Sequence, residues 1–239
     1  LLISQADATV TAETTFIFEG DPLPLFTATF DGFVNGEDTS VVTSLTFTLD
    51  PNYTGASGTY AIIPQATATN YMFSAVNGTL YVNPFGPGTK HIKTSLDCVE
   101  ELLLPDSSGF TYIAYFSYEN KNSSDVFIPY GSDNQILAEG SFNGINQPEL
   151  FLKGGGTFSV PFDGAKLTWQ VASYNHQGHK TSVASQASSG SNKCNKDAAA
   201  ELPANSADAE TEIHHYPNPT SGKLYIELPQ RSIVKDDVM

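Results

Sequence analysis

Residues 1–84 contain no lysine and no arginine, while eight acids fall there: Asp7, Glu13, Glu19, Asp21, Asp31, Glu37, Asp38 and Asp50. A stretch without a cation cannot neutralise phosphates, which argues against nucleic-acid binding. It also argues against adhesion to an anionic membrane surface. The 239-residue chain carries a formal charge of -15, and acidity of this kind serves solubility outside a cell. No run approaches the roughly 18 apolar residues of a membrane span. Cysteine is nearly absent too. Cys98 and Cys194 stand far apart and neither belongs to a CxxC pair, which argues against zinc. They are expected either as a disulfide, suited to an oxidising compartment, or as two buried thiols. No initiator Met or basic, cleavable leader opens the chain.

What is abundant is strand and turn material. Hydrophobic content is 40%, with 15 Phe and 11 Tyr to fill cores, and 14 Pro and 19 Gly to break them up. "ATVTA", "TTFIF", "LFTATFD", "LTFTLD", "TYAII", "YMFSA" and "TLYVN" are short and rich in Thr, Phe, Tyr and Val, and several alternate with period two. "EGDPLP", "DPNYTGASG" and "VNG" separate them with turn residues. "VNGEDTSVV" offers at most one helical turn, capped by Asn35 or Asp38. The opening Leu1–Ser4 reads as the tail of a strand, comparable with Leu80–Asn83, as though a preceding copy ended there.

Residues 85–195 form a second strand-rich unit. "GFTYIAYFSY" and "VFIPYG" flank a polar "ENKNSSD" expected as a hairpin loop. Leu167, Trp169 and Val171 fall on one strand face. Trp169 lies too far after Cys98 for an immunoglobulin core, so the expectation is another β-sandwich. Residues 196–213 lack the apolar mass for a core and read as a flexible acidic linker. At 214–239, Pro217 and Pro219 force an extended entry, Thr220–Gly222 a turn, and Leu224, Ile226 and Leu228 share one face of a strand. The fold class expected is therefore all-β: two tandem small antiparallel, sandwich-like modules (1–84 and 85–195), a linker, and the start of a further β domain.

Residues 16–84 run "FEGDPLPLFTATFDGFVNGEDT", "GTYAIIP" and "NYMFSAVNGTLYVNP". This order of landmarks resembles the bacterial MBG repeat, with Phe18 where that family usually has Tyr. The resemblance implies tandem copies on a large secreted or surface protein and supplies no catalytic residue. "YPNPTSGKLYIEL" resembles the start of the type A C-terminal sorting domain read by the bacterial type IX secretion system, through Tyr216, Pro217, Asn218, Pro219 and Gly222. It implies passage through the periplasm to the outer cell surface, with the secretion machinery as partner. Only 24 residues, Tyr216 to Met239, are present from the start of the landmark onward, so the chain is expected to be a fragment of something longer.

Chemistry-bearing patterns are few. His176 and His179, with His214 and His215, are the clustered imidazoles; none has an adjacent carboxylate, and loop histidines fit better than metal ligands. Glu37 with Asp38 and Glu100 with Glu101 are adjacent, so on strands they point to opposite faces and form no acid/base pair. "NGEDTS" and "GSDNQ" offer oxygen ligands for Ca²⁺ but no twelve-residue calcium loop. "KGGGTF" lacks the strand-then-helix setting of a phosphate loop. Sequons at Asn52, Asn77 and Asn122 match Asn-x-Ser/Thr. Tyr112, Tyr115, Phe116 and Tyr118 belong either to a core face or to a solvent-side platform for sugar rings. The function expected is a non-catalytic stalk or adhesion segment with no cofactor and no resident metal. The competing reading makes residues 85–195 a polysaccharide-binding module, with or without Ca²⁺.

Overall fold

Period-two alternation of β-branched and aromatic residues with polar ones buries one strand face and solvates the other, and the chain folds accordingly. The structure, a computed structural model, describes residues 4–144 and 147–194, all within one compact unit, Leu1–Asn195. Leu1–Ile3, the linker at 196–213 and the sorting-domain resemblance at 214–239, with His214, His215, Tyr216, Pro217, Asn218, Pro219 and Gly222, lie outside the described residues. The fold is all-β.

Seven strands build the first half: β1 (Ala6–Ala12), β2 (Thr15–Phe18), β3 (Ala28–Asp31), β4 (Ser44–Leu49), β5 (Gly58–Thr67), β6 (Tyr71–Val76) and β7 (Gly78–Asn83). They form two sheets, ordered β3-β1-β6 and β2-β7-β5-β4. Antiparallel pairing was expected throughout, yet β1 runs parallel to β6 and β2 parallel to β7. Two long extended segments thus travel side by side, and both bend from one sheet into the other, at 13–14 and at Asn77. The bend needs Gly78, where a Cβ would stand 2.6 Å from the Ala12 carbonyl oxygen and 2.7 Å from that of Glu13. The intervening residues provide the long crossover a parallel pair demands. Ala12, Ile17, Ile62, Leu80 and Val82 form the core between the sheets. Among the described residues the one helical turn falls at Thr39–Val41, and Asp38 caps it by accepting from the Ser40 N–H.

The second half carries β8 (Lys93–Glu101), β9 (Tyr112–Glu119), β10 (Val126–Phe127), β11 (Asn134–Ala138), β12 (Leu150–Phe151), β13 (Gly156–Phe162), β14 (Leu167–Tyr174) and β15 (Lys180–Ala187). Among the described residues its strand ladders are antiparallel: β13-β9-β8, β11-β14-β15 and the short β10-β12, with one isolated parallel bridge between Val99 and Lys193. The first two face each other over a core in which Phe116, Phe151, Phe162, Leu167, Trp169 and Val171 are buried. Trp169 is fully buried, stacked with Phe151 and edge-on to Phe158 at 4.7 Å between centroids.

One expectation fails here. "ENKNSSD" does not close a hairpin, because β9 is already flanked by β8 and β13 and β10 pairs with β12 instead. The Asn120 side chain turns the chain away, donating to the Ser124 and Phe151 carbonyls while its Oδ1 accepts from the Asn122 N–H. Cys98 and Cys194 form a disulfide with Cα atoms 4.9 Å apart. Backbone bonds stitch the same place: Val99 N–H to Asn192 O at 2.8 Å and Cys194 N–H to Val99 O at 3.1 Å. No helix among the described residues is long and apolar enough to cross a membrane.

Candidate functional site

Strand β7 ends at Asn83, and Pro84 then removes the next backbone donor. The ladder cannot continue, and the Asn83 side chain takes over its role. Its Nδ2 donates to the Phe127 carbonyl and its Oδ1 accepts from the Phe127 N–H, both at 2.7 Å. This two-way bond joins the first half to β10 of the second, and Asn83 is only 2% exposed. Aromatic rings surround it. Tyr81 stacks on Phe127 at 4.4 Å with planes 8° apart, Phe16 leans on Phe127, and Phe18 meets Tyr174 edge-on at 5.0 Å.

The device recurs. Asn122 Oδ1 accepts from the Lys90 N–H and its Nδ2 donates to the Lys90 carbonyl, again both at 2.7 Å. Asn134, fully buried, donates to the Ile128 and Pro148 carbonyls and accepts from the indole N–H of Trp169. Side-chain amides thereby satisfy backbone groups where no strand partner exists, which a buried loop requires. Sequence reading passed over Asn83 and Asn134 and took Asn122 only as a sequon, missing the clamping role of all three. The one available signal was Asn immediately before Pro at a strand end.

Between the clamps lies a cleft of about 220 Å³ whose wall includes Phe16, Phe18, Phe127, Tyr130 and Tyr174, with Asp133 and Lys180 at its polar side. Asp133 and Lys180 form an ion pair, each about two-fifths exposed. Burial, reinforced by the Glu149 charge, holds the Tyr130 hydroxyl above the ordinary phenol value. A second depression of about 340 Å³ lies alongside, lined by Lys90, His91, Lys93, Glu119, Lys121 and His176. Thr89 and Lys90 line both.

The residues singled out from sequence fall elsewhere or into structural roles. His176 and His179 sit at the β14–β15 reversal, where Asn175 Oδ1 accepts from the Gln177 and His179 N–H groups. Among the described residues no three His, Cys, Asp or Glu side chains gather as metal ligands. The acids of both calcium-like loops are engaged: Asp38 as a cap, Glu37 as acceptor for the Tyr71 hydroxyl at 2.5 Å, and Asp133 with Lys180. Glu100 accepts from Tyr115 and Glu101 pairs with Lys193. Phe116 and Tyr118 are buried in the core and Tyr112 packs against it, so they form no solvent-side platform. Asn122 is 5% exposed with its amide engaged, which is no place for a glycan.

Residues 8–81, spanning β1 to β7, match the family model of the MBG domain (YGX type). No curated protein and no solved structure matches the chain. The stretch that resembles the MBG domain, 8–81, is thus joined through Asn83 to a second β core.

Proposed function

We propose that this chain is a non-catalytic stalk and adhesion segment near the C-terminus of a large secreted or surface-anchored bacterial protein exported by the type IX secretion system. One observation carries the reading: the MBG-type repeat at 8–81 is bolted to its neighbour by the Asn83–Phe127 clamp and its aromatic collar. A spacer has to transmit position, and two β units sharing buried polar and aromatic contacts do so where a flexible tether would not. The disulfide at Cys98–Cys194 fits an oxidising exterior. The likeness of Tyr216, Pro217, Asn218, Pro219 and Gly222 to the sorting-domain opening supports this export route.

The test uses the complete gene product in its own cells. Protease added to intact cells is expected to cleave the protein, and replacing Tyr216–Pro219 by alanines should leave it in the periplasm. Unchanged export of that variant removes the type IX assignment, and a parent protein retained in the cytoplasm removes the surface assignment.

A second reading has its own observation. The cleft beside Asn83 is walled by aromatic rings and edged by polar groups, the composition of a small-molecule site. A sugar unit of a polysaccharide fits that mixture without Ca²⁺, since the nearby Asp133 already has Lys180 as its partner.

A further inference from the structure

An acidic chain has gathered its cations in one place. Three of the seven lysines among the described residues, Lys90, Lys93 and Lys121, line the second depression beside His91 and His176. The one carboxylate lining it, Glu119, is taken by Lys121 at 3.0 Å. Lys90 and Lys93 have no ion-pair partner among the described residues.

The backbone that carries these free charges is fixed. Asn122 grips Lys90 from both sides, the Ile92 N–H donates to the buried Ser173 hydroxyl at 2.8 Å, and Lys93 opens β8 opposite Glu119 of β9. A ligand would have to order only lysine side chains, which keeps the entropic cost of binding low. The depression also runs into the aromatic cleft, because Thr89 and Lys90 belong to both.

We infer that cleft and depression form one surface for an acidic polysaccharide, with a sugar ring against Phe127, Tyr130 and Tyr174 and its carboxylates or sulfates toward Lys90 and Lys93. This rests on the glycan-binding reading of the cleft and adds charge selection to it. The two halves of the surface together choose the ligand class. Unpaired lysines attract anions of any kind, but ring faces next to them favour a partner that brings a flat, partly apolar ring with each charge. An acidic peptide carries its carboxylates on flexible stems and has no such ring. Exposed ion pairs are individually weak and screened by salt, so binding draws on repetition along a polymer.

The experiment is affinity electrophoresis and calorimetry of the full chain against polygalacturonate, dextran sulfate, neutral dextran and poly-L-glutamate at low salt. Binding to polygalacturonate or dextran sulfate is expected, with the better of the two identifying carboxylate or sulfate as the anion, and it should vanish near 0.5 M salt, where screening is strong. Lys90→Gln with Lys93→Gln should weaken it about tenfold and flatten its salt dependence. Tyr130→Leu should weaken it while leaving the salt dependence in place. Unchanged Trp169 emission certifies each variant as folded. Equal retention by neutral dextran overturns the charge selection and leaves the glycan reading standing. Equal binding of poly-L-glutamate, or indifference to the lysine substitutions, overturns the assignment. Failure of every polymer to bind overturns both.

Discussion

Replacing Asn83 by alanine should loosen the second β core although Asn83 belongs to the first. The substitution removes one donor and one acceptor that meet the Phe127 N–H and carbonyl at 2.7 Å each. Both backbone groups are then left without partners at a site where Asn83 itself is 2% exposed. A buried orphan costs roughly 1–3 kcal/mol, so the pair should cost about 2–6 kcal/mol, with the Tyr81–Phe127 stack persisting. With a slope of about 2 kcal/mol per molar urea, the unfolding midpoint falls by roughly 1–3 M. Trp169 is the single tryptophan and lies fully buried in the second core, so its emission reports that half alone. Asn83→Asp sharpens the test. It keeps an acceptor for the Phe127 N–H but turns a carboxylate oxygen toward the Phe127 carbonyl, so it should cost more than alanine. A Trp169 midpoint that moves by less than about 0.3 M urea, or an aspartate milder than alanine, would refute the view that the amide locks the two halves together.

Two further outcomes follow from other parts of the fold. Cys98→Ser with Cys194→Ser opens a loop of 96 residues, which in the chain-entropy model is worth about 4–5 kcal/mol; the melting temperature should drop by roughly 10–15 °C, and a reductant that leaves melting unmoved would show that the bridge constrains nothing. The second outcome concerns alkaline pH. The hydroxyls of Tyr71, held up by its hydrogen bond to Glu37, of Tyr115, held up by burial and by Glu100, and of Tyr130 all ionise above the ordinary phenol value. The unfolded chain therefore loses these protons first, so stability present below about pH 10 is lost as pH rises past it. Asp163, which accepts from the Ser141 and Ala165 N–H groups, and Asp38 at its cap are lowered, and their contribution is lost as pH falls below about 4. Melting followed by circular dichroism from pH 9 to 11.5 should decline, and less steeply in Tyr71→Phe; a flat profile refutes the tyrosine contribution.

The strands were legible because their signal is local. All seven runs quoted from the first half fall on strands of the structure, and Leu167, Trp169 and Val171 share the buried face that alternation assigned them. Pairing was not legible, because direction and partner depend on distant residues. Nothing in "TTFIF" or "TLYVN" tells a reader that they run parallel. That geometry becomes necessary only when two segments bend together at a corner too tight for a Cβ at Gly78. "ENKNSSD" failed for a related reason: a polar loop between two apolar runs suits a hairpin, but it equally suits a chain leaving a sheet whose edges are taken.

The site was hidden more deeply. Asparagine between strands reads as a turn former, and Asn83, Asn122 and Asn134 each stand beside turn residues. What distinguishes them is a second segment arriving with an unpaired N–H and C=O, and that meeting is a product of the tertiary fold. The lysines show the same limit. Lys90, Lys93 and Lys121 are scattered over 32 positions and formed no charge run to notice, yet β8 and β9 pair with Lys93 opposite Glu119 and the three cations converge. On the proposed reading, a polyanion is repelled by most of a chain of charge -15 and drawn to that one groove. A stalk built for solubility alone has no reason to leave Lys90 and Lys93 without partners while most of its other described lysines have found them. On the proposed reading, the unpaired Lys90 and Lys93 beside the aromatic cleft make the joint between the two halves, where the clamps hold it in shape, the recognition surface.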